Sequence, residues 1–493
     1  MTNFEPVIGL EVHAELLTQS KMFCGCAVVD STSAEPNSSV CEICTGMPGT
    51  LPVINQRAVE YAIRVALALN CSIAETSVFA RKNYFYPDLP KGFQISQYEL
   101  PLATNGWIEL EAASAASSTK RVRIRRVHLE EDTGKLVHRE RHSLVDYNRS
   151  GVPLLEIVSE PDLYSIDEAR QYALALRSLM RYLEVNSGDL EKGVMRLEAN
   201  VSLRPSGSDE LGTRTEIKNL NSFRALSKAV EYEIDRQAAL LRSGEPVIQN
   251  TLGWDDDRQV TVSQRSKEEA HDYRYFPEPD LPPLHIEASW VDEIRAALPE
   301  LPAAKRARFM TEYGLSAYAT GVLTAERSVA DYYEAAINSS DGVSPVKIAN
   351  WLSGDLFGLL NESAIGIDRS KVSPEALAQL VTLVETGTIS AASGKMVLEV
   401  LFKEGGSPNT IVKNEGLTQL QDQSSIRTVV EQVLSDNPDQ VANYLAGKMA
   451  LSEWFLGQVM RATEGKADPA AVRTELEAAL HDLDDQDQSQ SGR

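Results

Sequence analysis

Apolar and polar residues alternate with a two-residue period in three separate stretches of the chain. In residues 6–14, Ile8, Leu10 and Val12 fall on one face and Gly9, Glu11 and His13 on the other, as a strand with one side against a core requires. Residues 195–204 alternate in the same way, placing Arg196, Glu198, Asn200, Ser202 and Arg204 together, and residues 213–219 do so for Arg214, Glu216 and Lys218. The run Val152-Pro153-Leu154-Leu155-Glu156-Ile157-Val158 predicts a strand within a core. It is entered through the loop Asp146-Tyr147-Asn148-Arg149-Ser150-Gly151, where Asn and Gly tolerate turns that branched residues do not. Helical periodicity predicts helices over 56–69 and 166–183, and a long one over 222–242 closed by Gly244.

The pattern changes farther on. Residues 254–283 read as irregular, and the prolines from Pro277 to Pro283 mark a domain edge. Beyond about residue 295 the chain turns Ala/Leu/Glu-rich and helical, and Gly405-Gly406-Ser407-Pro408 reads as a hinge within that part. The expected organisation is therefore a strand-rich domain over 1–294, a helical domain over 295–406 and a small helical tail over 407–493, with residues 482–493 disordered. Residues 111–119 are Ala/Ser-rich and predict a tolerant hairpin tip.

Composition bounds the function. The 493 residues suffice for two to four domains, and a hydrophobic content of 43% is that of an ordinary globular protein. The first residues lack a basic segment followed by an apolar one and no later run is long enough to span a bilayer, so a cytoplasmic protein without membrane partners is expected. A net charge of −23 argues against a basic nucleic-acid-binding domain. The run Lys120-Arg121-Val122-Arg123-Ile124-Arg125-Arg126 is either a local basic patch or a solvated strand edge kept from aggregating by its charges.

Two close cysteine pairs, Cys24/Cys26 and Cys41/Cys44, are separated by a polar loop over 24–44. Tetrahedral zinc asks for four soft ligands on two tight turns, and a closed four-cysteine site is structural, since it leaves no open position. Cys71 stands alone and reads as a small buried hydrophobe. In residues 81–97, Arg81, Lys82 and Lys91 interleave with Tyr84, Phe85, Tyr86 and Phe93 around prolines; such a segment either lines a groove for a nucleotide or RNA end or fills a core. On the strands, Glu11, His13, Glu198 and Glu216 sit among Arg196, Arg214 and Lys218, with His128, Glu130, Glu131 and Asp132 close by. Carboxylates take Mg2+ while cationic side chains take phosphate oxygens; the plainer alternative is a solvated sheet face of mixed charge. No phosphate-binding Gly-Xaa4-Gly-Lys-Ser/Thr loop and no kinase motif set is present, so an ATP site would be built on the sheet.

Six segments in order, residues 7–13, 81–88, 128–132, 144–158, 218–223 and 272–280, resemble the B subunits of bacterial aspartyl/glutamyl-tRNA amidotransferases, a likeness running from about Val7 to about Pro469. The resemblance implies an α+β protein: a mainly antiparallel, cradle-like catalytic domain, an all-α helical domain and a small tail domain similar to the YqeY protein. It implies that ATP phosphorylates the side-chain carboxylate of Glu-tRNA(Gln) or Asp-tRNA(Asn). Ammonia released by the glutaminase of the complex, its amidase A subunit, then displaces phosphate, with the small C subunit holding the heterotrimer together. The resemblance also implies Glu11, His13 and Glu131 as Mg2+ ligands, with Glu198 and Glu216 in or beside the same basket; Lys82, Arg196, Arg214 and Lys218 are the cations expected to meet the nucleotide. Strand parity alone pairs His128 with Glu130, so Glu131 rests on the family.

The chain departs from the family at Leu197-Glu198, where many members have Cys-Asp, and at Ser452-Glu453-Trp454, beside the tail segments Gly447-Lys448 and 457–463 that resemble the family's tRNA-contacting part. The cysteine quartet occurs in only some members. A non-catalytic tRNA-binding scaffold and a metal-dependent phosphotransferase acting on a small carboxylate are the competing expectations; the latter has no use for the helical region.

Overall fold

Period-two alternation becomes a sheet face and a core face. In this computed structural model, which describes residues 3–110, 119–265, 273–340, 342–418, 423–463 and 466–491, the strand Phe4–Glu15 is the middle member of a nine-stranded sheet. From one edge the order is Val260–Arg265, Thr251–Asp255, Thr215–Leu220, Met195–Pro205, Phe4–Glu15, Pro153–Ser159, Lys120–Glu131, Ala103–Leu110 and Ser72–Ile73. Every neighbouring pair is antiparallel except Thr215–Leu220 with Thr251–Asp255. The mainly antiparallel, α+β expectation holds.

Ile8, Leu10 and Val12 are fully buried on one side of the central strand, together with Leu197, Ala199, Val201, Leu155 and Ile157 of its neighbours. Three helices share that core: Gln56–Ala68 with Ala62 and Ile63, Ile166–Tyr182 with Tyr172 and Leu176, and Phe223–Ser243 with Leu226 and Val230. Each large apolar side chain so buried stabilises the sheet by on the order of 1.5–3 kcal/mol. The side chains of Asn55, Ser165 and Ser222 cap the helix starts by accepting backbone N–H groups, and the third of these helices stops at Gly244 in the left-handed region (φ 82°).

Several expectations change. The basic run from Lys120 to Arg126 is neither a sheet edge nor a free patch: its strand lies inside the sheet, Val122 and Ile124 join the core, and its cations meet acids, Lys120 with Glu168, Arg121 with Glu109, Arg123 with Asp162, Arg125 with Glu160 and Arg126 with Glu156. The stretch expected to be irregular from 254 contains a hairpin, Thr251–Asp255 with Val260–Arg265. Its strands are short and turn through Asp256-Asp257, so pairing to the sheet rather than local pattern defines them. The hairpin tip expected at 111–119 falls, through residue 118, outside the described residues, as do 266–272.

The loops around residues 81–97 fold into a small three-stranded sheet, Phe276–Pro277, Phe79–Asn83 and Phe93–Gln97. Arg81 grips Glu278 through two nitrogens, each 2.7 Å from a carboxylate oxygen, tying that sheet together.

The chain divides into two compact units, Met1–Pro302 and Ala303–Arg493. The second unit is helical and holds two cores, one from Phe309 to Val412 and one from Ile426 to Leu480. Gly405 and Gly406 both have positive φ and turn the chain, but the helix Pro408–Asn414 returns Val412 to the first of these cores, so the packing changes after that helix rather than at the glycines. The final helix, Pro469–Ser491, continues past Asp482, where order was expected to end; no Gly or Pro interrupts it before Gly492. Among the described residues no helix is long and apolar enough to cross a membrane.

Candidate functional site

Sheet register assembles the polar face. Across four adjacent strands Arg196, His13, Glu156 and His128 stand directly opposite one another, and one step along the central strand Glu11 faces Glu198. Asn200 lies opposite Glu216. A register shift between Val158 and Ser159, against Arg126 and Ile124, inserts an extra residue in the Lys120–Glu131 strand. That bulge keeps Val127 and Leu129 in the core after Val122 and Ile124, and turns Arg126, His128 and Glu130 to the polar face.

Two groups of ligand-type atoms result. In the first, one carboxylate oxygen each from Glu11, Glu198 and Glu216 lies within 4.8 Å of the others. Lys218 Nζ is 2.9 Å from Glu198 and 3.7 Å from Glu216, Thr251 Oγ1 donates to Glu216 at 2.9 Å, and Asn200 Nδ2 donates to Glu11 at 2.8 Å. The other end of that amide, Asn200 Oδ1, is buried with no hydrogen-bond partner. In the second group, Glu156 holds one oxygen 3.4 Å from His13 Nε2 and 3.3 Å from His128 Nε2, with Glu130 3.8 Å from His13. Ser96 Oγ donates to Glu130 at 3.1 Å. Lys82 sits at the rim, its Nζ 5.0 Å from the centre of the Tyr273 ring.

Charge crowding shows in the proton affinities. Burial, then the carboxylates of Glu156, Glu198 and Glu216, raises the Glu11 pKa. Burial acts to raise Glu198 too, but Lys218 and His13 overcome it and hold this carboxyl at about 2. Burial opposes charge on His13, yet Glu156, Glu198 and Glu130 carry its pKa up to about 9, so the imidazole is cationic at neutral pH. Glu156 stays well below the usual carboxylate range despite its burial, because His128 and His13 face it. Lys218 is likewise held protonated by Glu198 and Glu216 against burial.

Of the residues expected from sequence, Glu11, His13, Glu198, Glu216 and Lys218 converge, and Lys82 reaches the rim. Arg196 is turned instead to Asp132, at 2.8 Å. Burial would raise the pKa of Asp132, but Arg196 and Arg149 hold it at about 2. Arg214 precedes its strand and is exposed. Glu131, expected as a Mg2+ ligand, lies apart from these groups. Adjacent strand residues face opposite ways, so Glu131 leaves the polar face, accepts the Ile95 N–H at 2.9 Å, pairs with Lys91 and lines a separate cavity of about 200 Å³ with Cys44 and Arg81. Glu130 occupies the place beside His13 instead. Sequence reasoning missed Glu156 as a site residue; its signal was a lone acid in an otherwise apolar strand.

Cys24, Cys26, Cys41 and Cys44 bring their sulfurs within 4.8 Å of one another, with Cys41 and Cys44 3.9 Å apart. Sulfurs about 3.8 Å apart are what tetrahedral zinc with bonds of about 2.3 Å produces. A hydrogen bond from Cys24 is the largest influence on Cys44; with the Cys41 N–H and Lys21, and against burial, it draws this thiol down to about 4. The quartet thus fits a metal centre. Cys71 is buried in the core behind the sheet.

A basket of clustered carboxylates, an imidazolium and two lysines, backed by a rigid sheet, can hold a divalent cation and a polyphosphate together. Comparison with known proteins finds relatives along most of the chain. Residues 6–292 match the family model described as GatB/GatE catalytic domain, and residues 331–480 match the GatB domain. The chain is 51% identical to the aspartyl/glutamyl-tRNA(Asn/Gln) amidotransferase B subunit of Persephonella marina, over 97% of this chain and 99% of that protein. It is 51% identical to the protein of the same name from Roseiflexus sp., covering 96% and 97%, and 49% identical to that of Carboxydothermus hydrogenoformans, covering 98% and 100%.

Proposed function

The chain belongs to the family of aspartyl/glutamyl-tRNA(Asn/Gln) amidotransferase B subunits, and from that membership we propose how its charged sheet face works. As a member it serves a ligase that converts misacylated Glu-tRNA(Gln) and Asp-tRNA(Asn) into Gln-tRNA(Gln) and Asn-tRNA(Asn). A carboxylate resists ammonia because its oxygen leaves badly. The side-chain carboxylate oxygen of the misacylated residue therefore attacks the γ-phosphorus of ATP, ADP departs, and the acyl phosphate that forms releases phosphate when ammonia attacks its carbonyl carbon.

The observation that carries this reading is the meeting of Glu11, Glu198 and Glu216 with Lys218 on one face of a sheet whose other face is core. Three carboxylate oxygens within 4.8 Å and the orphaned Asn200 Oδ1 suit a hard divalent cation. Glu11, Glu198 and Glu216 would hold Mg2+, with His13, Glu130 and Glu156 as a neighbouring donor set. When bound, the ion offsets phosphate charge. Lys218 and Lys82 supply fixed cations for phosphate oxygens, and Thr251 and Asn200 orient Glu216 and Glu11. His13, protonated while no ion is bound beside it, offsets the charge of the two carboxylate groups and would give up that proton to ligate an ion.

The cysteine quartet holds a structural zinc that pins the loop over 24–44 beside the sheet. The partners are an amidase that makes ammonia from glutamine and a small third protein, together a heterotrimer. The tail beyond residue 423 contacts tRNA through Gly447-Lys448 and residues 457–463.

The test is ATP turnover by the complex reconstituted with both partners on mischarged Glu-tRNA(Gln). Phosphate release that depends on the mischarged tRNA, and that Glu198→Gln abolishes without weakening tRNA binding, supports the carboxylate-kinase reading. Release independent of tRNA, or an active variant, makes the polar face a scaffold.

A further inference from the structure

Beside the basket lies an aromatic feature with no role in the chemistry above. Tyr86, Tyr84, Tyr273, Tyr275 and Tyr98 form a continuous string of rings. Tyr86 stacks on Tyr84 with centroids 5.7 Å apart, and Tyr84 meets Tyr273 edge-on at 6.4 Å. Tyr273 meets Tyr275 at 6.1 Å, and Tyr275 stacks on Tyr98 at 4.4 Å. None of the five belongs to the hydrophobic core behind the sheet.

The two ends of the string differ. Its inner part abuts the basket: Lys82 sits over Tyr273, and Tyr275, largely shielded from water, senses the charges of Lys82, Glu130, Glu156 and Arg126. Its outer part reaches solvent, with Tyr86 at 46% exposure and the adjacent Phe85 at 81%. Exposed rings that are contiguous, rather than scattered singly, mark a binding surface.

We propose that this string is a stacking platform for the unpaired nucleotides at the 3′ end of the tRNA, guiding the aminoacylated terminus from solvent to the carboxylates. The proposal rests on the tRNA-dependent function above. Several features choose the ligand. Successive bases each present a π-face, so a row of rings suits a run of nucleotides, whereas ATP carries a single base and needs at most the rings nearest the basket. The exposed outer rings lie where a strand would arrive, and Lys82 lies where its phosphates would turn in.

The test compares binding of the reconstituted complex to unacylated tRNA(Gln) with an intact 3′ end and to the same tRNA lacking its last three nucleotides. Wild type should prefer the intact tRNA by about tenfold, the scale of one or two stacked bases. The double variant Phe85→Ala/Tyr86→Leu should lose that preference, Tyr86→Phe should keep it, and KM for ATP should stay within about twofold in both. Both positions are exposed, so the fold is not at risk. The proposal is overturned if wild type ignores the truncation, if the double variant still discriminates, or if its KM for ATP rises as much as its tRNA affinity falls, which would put the nucleotide's adenine on these rings. Because binding needs no turnover, a wild-type complex that releases no phosphate counts against the catalytic reading while leaving this comparison intact.

Discussion

Glu130 and Glu131 are neighbours in sequence that serve opposite sides of one strand: Glu130 stands beside His13 and Glu156 and takes a hydrogen bond from Ser96, whereas Glu131 takes the Ile95 N–H and pairs with Lys91. The division predicts a clean separation by mutation. Glu130→Gln should weaken Mn2+ binding, read by paramagnetic relaxation, by about tenfold or more, and Glu131→Gln should leave it within about twofold. Equal losses in the two variants would mean that the cation bridges both faces.

Glu216 accepts a hydrogen bond from Thr251 and lies 3.7 Å from Lys218. Glu216→Gln keeps the shape and removes the charge. We expect tRNA-dependent phosphate release to fall by at least about 100-fold, with little change in tRNA affinity, because the lost interaction acts where charge moves. Rapid-quench phosphate assays and filter binding decide it.

Burial, and then the nearby Asp132 carboxylate, raises the Glu15 pKa to about 8. Unfolded, the same group titrates near 4.5, so folding takes up a proton between those values. The stability this provides is complete below about pH 4.5 and is lost as pH rises through about 8. Glu15→Gln, neutral at every pH, should therefore gain on wild type by about 1 kcal/mol or more between pH 5 and pH 8.5 in urea unfolding of the first unit. A constant gap between the two proteins across that range rules the protonated carboxyl out.

The cysteine quartet should carry one zinc per chain by elemental analysis. Cys44→Ser should lose the metal and lower the midpoint of thermal unfolding by about 5 °C or more. A variant that keeps full zinc content and stability would show the four thiols to be unliganded.

Much of this was legible from alternation alone. Glu11 and His13 share one face of their strand, and Glu198 the polar face of its own, with no reference to anything but parity, and the grouping of Cys24, Cys26, Cys41 and Cys44 follows from spacing. What sequence could not supply was pairing. Glu156 becomes part of the site because His13 and His128 arrive on either side of it, from strands more than 140 residues upstream and 28 residues upstream. Arg196 sits on the expected face but turns to Asp132, a partner fixed by tertiary distance. The family likeness favoured Glu131 and the two-residue period pointed to Glu130; the sheet turns Glu130 toward His13 and Glu131 toward Lys91.

The strand Pro153–Ser159 is buried at all seven positions, with a carboxylate at its middle. Slipping this strand by one residue against either neighbour would drive Glu156 into the apolar core and strand a charge without a partner, a penalty of several kcal/mol. Only the native register places both imidazoles within reach of it. The group placed for chemistry therefore also acts as a proofreader of assembly: a chain that has threaded its central strands wrongly cannot hide the error, and the polar face exists only where the sheet has closed correctly.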